Sequence, residues 1–262
     1  MVDRPYHYRY TNWLRRQRVA TMRMMGWVLG LVLVACEGVA EELRVGFGTH
    51  KPPYVFERQG RGLEYDVVVA AARAAGLTIR PYYSPMERLQ RSFSLGEIDA
   101  MTTTNAQGGA APFYSQPYIY YQNVAMSLAA RDYRIERISD LRHYSVHAFQ
   151  RARFLLGDEF RKMAEGNPRY HEEAQQIARN RLLYSGRADV VIGDRRILRY
   201  FNREVYAQVD VGQPVIEYRL FPATAYHLGL HDEAMRDRFD QGLAAIRASG
   251  EYAEIERRYA MY

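Results

Sequence analysis

Gly186-Arg-Ala-Asp-Val-Val-Ile-Gly-Asp194 is the stretch on which the fold turns. A glycine turn leads through Asp189 into an apolar run that closes on a second glycine and an aspartate, the pattern of a short strand with a loop at its carboxyl end. The same order of residues appears upstream in Leu95-Gly-Glu-Ile-Asp-Ala100, running on into Met101. In both places the aspartate, Asp99 or Asp189, reads as a residue at strand entry rather than as half of an acid/base pair.

Working outward, strand and helix patterns alternate. Leu43–Gly48 reads as a strand broken by glycine, and Pro52-Pro53 bar a helix immediately after it. Residues 64–75 place Tyr65, Val68, Val69 and Ala72 on one face, with Gly76 as the stop. A strand follows at Leu77–Tyr83, then an amphipathic helix at Met86–Leu95 and a strand at Ile98–Met101. Further strands are expected at Asn123–Leu128, Tyr144–Phe149, Ala188–Ile192 and Ala225–Leu230, and helices at about 150–163 and 172–184. Met235, Phe239, Leu243 and Ile246 mark a long final helix that stops near Gly250. Strands alternating with helices imply parallel α/β units.

Composition narrows the classes of function. Of 262 residues, 48% are hydrophobic and 25% charged, an ordinary globular balance, and the net charge is +6. Residues 1–40 hold six Arg against Asp3 and Glu37, so the remainder carries 30 basic and 28 acidic groups. That body lacks the basic footprint of a nucleic-acid binder. Met24–Cys36 is uncharged and follows an Arg-rich stretch, but it is too short to span a bilayer comfortably. It reads as the apolar core of a signal peptide, assigning residues 1–40 to export. Two exits stay open, cleavage after Ala40 and lipidation at Cys36, the chain's one cysteine. Cleavage yields a soluble periplasmic product; lipidation yields a periplasmic lipoprotein.

Catalytic and metal motifs mostly fail. Lys51 and Lys162 are the only lysines, and neither lies in a P-loop. The spacings His143/His147 and His227/His231 fall in or beside strands, where four residues span about 13 Å, too far for one metal. No metal site and no cofactor is expected. Asp66 and Asp194 join Asp99 and Asp189 as formal acid/base candidates without a partner pattern.

From about Leu43 to Tyr259 the chain resembles the family-3 solute-binding proteins of bacterial ABC importers, the polar-amino-acid-binding type. The carrying residues are Arg44–Thr49 with Pro52-Pro-Tyr-Val-Phe56, Gly62-Leu-Glu-Tyr-Asp66, Leu95–Ala100, Phe113-Tyr-Ser-Gln-Pro-Tyr118, Ile138-Ser-Asp-Leu141, Gly186–Asp194, and Ile246–Ile255 with Arg258-Tyr259. The resemblance implies an α/β fold of two lobes, each a central sheet flanked by helices, joined by two crossing strands that act as a hinge (type II-like). Lobe one takes residues 41–121 and 224–262, and lobe two takes 122–223. A small-molecule ligand binds between them, and hinge closure buries it. The expected protein is a monomeric, non-enzymatic receptor serving an ABC importer permease. A periplasmic sensory protein is the alternative, and a dehydratase on the same scaffold a distant third.

Carried over by position, the ligand-binding residues are Thr49, Lys51 and Tyr54 on the first loop, Thr103 and Asn105 on the second, and His147, Gln150 and Arg151 at a second-lobe helix start that suits anions. Tyr118 belongs to an aromatic group with Phe113, Tyr114, Tyr120 and Tyr121. Asp194 matches the acid that holds an α-ammonium, or else caps the following helix. One departure stands out. Amino-acid receptors of this family carry an Arg shortly after the Thr-rich strand to clamp the α-carboxylate, and Thr102–Pro112 contains no basic residue. Lys51 and Arg151 are the available substitutes. The implied ligand is polar or organic, and not a standard α-amino acid.

Overall fold

A computed structural model describes residues 41–109 and 111–262, which form one compact unit. The expected export segment lies outside the described residues. Among the described residues no helix is long and apolar enough to cross a membrane. In chain order the strands are β1 (Glu41–Gly48), β2 (Leu77–Ser84), β3 (Ala100–Thr104), β4 (Phe113–Tyr114), β5 (Ile119–Tyr121), β6 (Asn123–Leu128), β7 (Val146–Phe149), β8 (Tyr170–Glu173), β9 (Val190–Asp194), β10 (Val215–Tyr218) and β11 (Thr224–Leu230). The α-helices, numbered here from the first described, are α1 (Leu63–Ala74), α2 (Met86–Ser94), α3 (Ala152–Leu155), α4 (Asp158–Gly166), α5 (Gln176–Tyr184), α6 (Arg195–Val205), α7 (Glu233–Ala248) and α8 (Glu251–Arg258).

Two sheets result, each the centre of a lobe. One runs β2-β1-β3-β11-β4 with β5 also on β11, and the other runs β10-β6-β9-β7-β8. The first core gathers Val45, Phe47, Val67 and Val68 against Phe239, Leu243 and Ile246 of α7. The second sheet is covered by separate apolar clusters around Phe160 and Val190 and around Leu183 and Leu198. The α1–α7 contact is close enough that a Cβ at Gly242 would lie 2.0 Å from the Ala71 carbonyl oxygen, so only glycine fits.

The chain crosses between sheets twice, and the crossings run side by side. β5 passes through Gln122 into β6, while the return leaves β10 and enters β11, which pairs with β5 from Thr224↔Tyr121 to Tyr226↔Ile119. Asn123 Nδ2 donates to Thr224 Oγ1 at 3.1 Å, and Gln122 Nε2 to the Phe221 carbonyl at 3.0 Å. These bonds tie the two connections laterally.

Several elements depart from the sequence expectation. The parallel pattern holds for β1–β2, β1–β3, β7–β8 and β7–β9, but β6 and β11 lie antiparallel to their neighbours because they begin at the crossings. The helix expected over 172–184 starts at Gln176, since Tyr170–Glu173 pair with β7 as a strand. The helix expected over 150–163 is divided at Gly157. β3 reaches past Met101 and takes in the Thr-rich run. The carboxyl ends of β1, β3, β7 and β9 all face the space between the sheets, where open α/β sheets place their ligands.

Candidate functional site

The floor of that space is a buried ionic network centred on Glu64, in the first turn of α1, where the helix dipole favours negative charge. Gly62 precedes it at φ 141°, and a Cβ there would strike the Tyr54 carbonyl oxygen at 2.2 Å. With no side chain at 62, the helix start docks on the Tyr54 backbone, which accepts from the Glu64 amide. Glu64 is wholly buried and forms an ion pair of 2.6 Å with Lys51. It also accepts hydrogen bonds from Thr103 Oγ1 (2.7 Å), Tyr121 OH (3.0 Å) and Tyr118 OH. Burial, with Glu64 alongside, pushes both phenols well above their ordinary range. Lys51 Nζ donates to Thr103 Oγ1 as well, and its charge is neutralised by the Glu64 carboxylate. Thr103 holds φ at +56°, a left-handed value costly for a β-branched residue and of the kind found at functional sites.

Asp194, at the end of β9, is the second buried carboxylate. Its Oδ1 accepts from the Arg196 and Ile197 amides at 2.9 and 3.2 Å, capping α6, and its Oδ2 accepts from the Gln122 amide at 2.9 Å on the crossing strand. The Tyr54 hydroxyl is a fourth donor. Burial raises the carboxyl to about 6, opposed by these hydrogen bonds. Tyr54 in turn stacks on Tyr121 with ring centroids 3.8 Å apart.

The lobes touch across the cleft. Gln150 Oε1 accepts from the Glu87 amide at 3.0 Å, and Arg151 Nη1 lies 3.6 Å from the Glu87 carboxylate. Arg151 also donates from Nη2 to the Gly108 carbonyl at 3.2 Å, from a left-handed backbone at φ +69°. Asn105 donates from Nδ2 to the Leu155 carbonyl at 3.2 Å.

Counted out to its open mouth, the space between the lobes holds about 540 Å³ of empty volume. Of the residues named from the sequence, Thr49, Lys51, Thr103, Gln150 and Asp194 line it. Tyr54 and Tyr118 sit behind the lining as supports. Asn105 and Arg151 bridge the lobes beside it. His147 lies apart, with its Nδ1 2.8 Å from Glu173 and its ring beside His171. The structure adds residues that sequence reasoning missed, above all Arg179 of α5. This residue is fully buried and lines the cavity, and Nη2 donates to Gln176 Oε1 while Nε and Nη1 have no partner among the described residues. Burial pushes its guanidinium down to about 10, against the pull of Glu173 and Asp194. No group of three or more His, Cys, Asp or Glu is placed to hold a metal among the described residues.

The site is thus a cleft between two lobes, built for enclosure. None of the curated protein sequences matches the chain significantly. Solved structures share its fold. An ancestral arginine-binding protein bound to arginine has 18% identity and a TM-score of 0.68, covering 83% of this chain and 97% of that one. A histidine kinase sensor domain with similarity to periplasmic binding proteins has 19% identity and the same TM-score of 0.68, covering 83% and 95%. The arginine-, lysine-, histidine-binding protein ArtJ from Geobacillus stearothermophilus has 17% identity and a TM-score of 0.67, covering 84% and 95%. A sequence profile agrees over residues 43–261, nearly the whole described body: the chain belongs to the bacterial extracellular solute-binding proteins, family 3.

Proposed function

We propose that the protein is an exported, non-enzymatic solute receptor that encloses a small polar or organic ligand between its lobes and delivers it to an ABC importer. The ligand is not a standard α-amino acid. The observation that carries this reading is the state of the charges near the first lobe: Lys51 is neutralised by Glu64, Arg151 is engaged by Glu87 and Gly108, and residues 102–112 supply no cation. Asp194, matched by position to an ammonium-holding acid, already accepts from three amides and a phenol. The export route follows the residue 1–40 reading, and mass spectrometry of the mature N-terminus separates a start at Glu41 from a lipidated Cys36. The working unit is a monomer.

A thermal-shift screen against a metabolite library tests the receptor reading, since a ligand at about 100 times its dissociation constant stabilises by about 2.7 kcal/mol. Tight calorimetric binding of an ordinary L-amino acid, abolished by Asp194→Ala, overturns the ligand assignment. The likeness to a histidine kinase sensor domain favours a second reading, a sensory input protein. Co-purification with a permease supports transport, and co-purification with a histidine kinase supports sensing.

A further inference from the structure

Of the two cations lining the cleft, Lys51 is paired with Glu64, whereas Arg179 has no ion pair among the described residues. Of its five N–H groups, the one on Nε and the two on Nη1 lack partners among the described residues, although the side chain is wholly buried. Glu173 and Asp194 attract it, but neither bonds it: Glu173 is engaged by His147, and Asp194 by its amides and Tyr54. The guanidinium passes over Gly193, where a Cβ would lie 3.3 Å from both Nε and Nη2. Glycine therefore lets the planar group lie close to the end of β9, at the cavity wall. A buried charge without a bonded partner is costly, and a perturbed cation in a cleft marks a candidate ligand site.

We propose that Arg179 is the anion anchor of the cleft, and that the ligand is a small monocarboxylic acid without an α-ammonium group, held from the second lobe. This rests on the receptor reading above. A planar guanidinium matches a carboxylate fork to fork. One negative charge suffices, because Asp194 already lines the wall and Lys51 is paired with Glu64 beneath it, which leaves Arg179 as the one cation to be met. An ammonium group finds both of those carboxylates occupied by donors. Tyr121 and Tyr226, set edge to face at 4.9 Å between centroids, offer the rest of the ligand an aromatic wall.

The test uses the full chain with acetate, pyruvate, lactate and benzoate as probes, the neutral amide of each, and inorganic phosphate. Calorimetry is expected to show binding of at least one carboxylate and not of its amide. Arg179→Met should weaken that binding by about 100-fold, and Arg179→Lys by less, because the lysine keeps the charge and loses the fork. Unliganded Arg179→Met should melt no lower than wild type, since an unpaired buried charge has been removed. Should that variant not fold, Arg179→Gln takes its place, and the wild-type preference for acid over amide is an independent arm. Carboxylate binding unchanged in Arg179→Met overturns the proposal, as does binding confined to phosphate or to neutral solutes; in those cases the receptor reading stands. If no solute of any class binds in the metabolite screen, the receptor reading fails with it.

Discussion

Replacing Glu64 by Gln isolates the ionic pair beneath the cleft. Glutamine keeps the size of glutamate and one carbonyl acceptor, but it puts an amide donor where the second oxygen was. The hydroxyls of Thr103, Tyr118 and Tyr121 then compete for a single acceptor, and Lys51, only 3% exposed, loses a counter-ion at 2.6 Å. Breaking one half of a buried pair costs about 3–5 kcal/mol, and the orphaned hydroxyls are part of that cost rather than additional to it. For the 222 residues from Glu41 onward, each kcal/mol moves the melting temperature by about 2–4 °C, so a fall of roughly 6–20 °C is expected. The assays are thermal melting and urea denaturation, both followed by circular dichroism, on wild type, Glu64→Gln, Lys51→Met and the double variant. The double variant removes both charges, so it should lose less than the two single losses combined, with a coupling of about 2 kcal/mol. A loss under about 1 kcal/mol for Glu64→Gln, or an additive cycle, refutes the view that Lys51 is neutralised by this pair and leaves it free to meet a ligand.

Three further outcomes follow from the geometry. Asp194 titrates near 6 in the folded chain against an ordinary 3.8, so the folded state holds its proton more tightly. The stability this group contributes is full below pH 3.8 and declines by roughly 3 kcal/mol as pH rises through about 6. Asp194→Asn, which keeps a capping side chain, should change wild-type stability by an amount that varies over this window; parallel stability–pH curves contradict it. Gly242→Ala drives a methyl group into the Ala71 carbonyl between α1 and α7 and should cost about 1–3 kcal/mol by chemical denaturation, whereas an unchanged midpoint contradicts the close crossing. Arg151→Ala removes the contacts to Glu87 and Gly108 and should shift the lobes toward an open arrangement. Small-angle scattering should then report a larger radius of gyration in the unliganded chain, and an unchanged radius contradicts a role for Arg151 in closure.

Much of the first lobe was legible because its elements obey local rules. The helix from Leu63 and the final helix from Glu233 each combine a period with a stop signal, and their ends, like those of the strand at Leu77, fall within two residues of the expected ones. β8 was not legible: Tyr170-His-Glu-Glu173 is polar and reads as a helix start, and only pairing with β7 makes it a strand. The antiparallel setting of β6 and β11 was equally hidden, because it follows from crossing between sheets rather than from any residue pattern. Asp194 shows the opposite case. Its two candidate roles, cap and contact, were both visible, and the structure supplies the cap by placing the Arg196 and Ile197 amides on one oxygen.

The lobe-two cation was missed for a reason that concerns how amphipathic helices are read. In Gln176-Ile-Ala-Arg-Asn-Arg-Leu-Leu-Tyr184 the apolar residues alone suggest an inward face, and the run Arg179-Asn-Arg181 between them suggests solvent. The helix instead buries Arg179, Asn180, Leu183 and Tyr184, spaced i, i+1, i+4 and i+5, so the polar pair lies on the inward stripe. Asn180 explains itself, donating from Nδ2 to the Leu198 carbonyl and to Asn202 Oδ1, both at 2.7 Å, and so joining α5 to α6. Arg179 does not, because Gln176 is its only hydrogen-bond partner among the described residues. Hydrophobic periodicity marks where a helix faces a core, and it misplaces a helix whose inner face meets a cavity. The two cations offered by the sequence, Lys51 and Arg151, each lie against a carboxylate, whereas Arg179 does not. A carboxylate can be held from either side of a closing cleft, and held from the second lobe it joins the lobes only once the ligand also reaches the Tyr121 and Lys51 side.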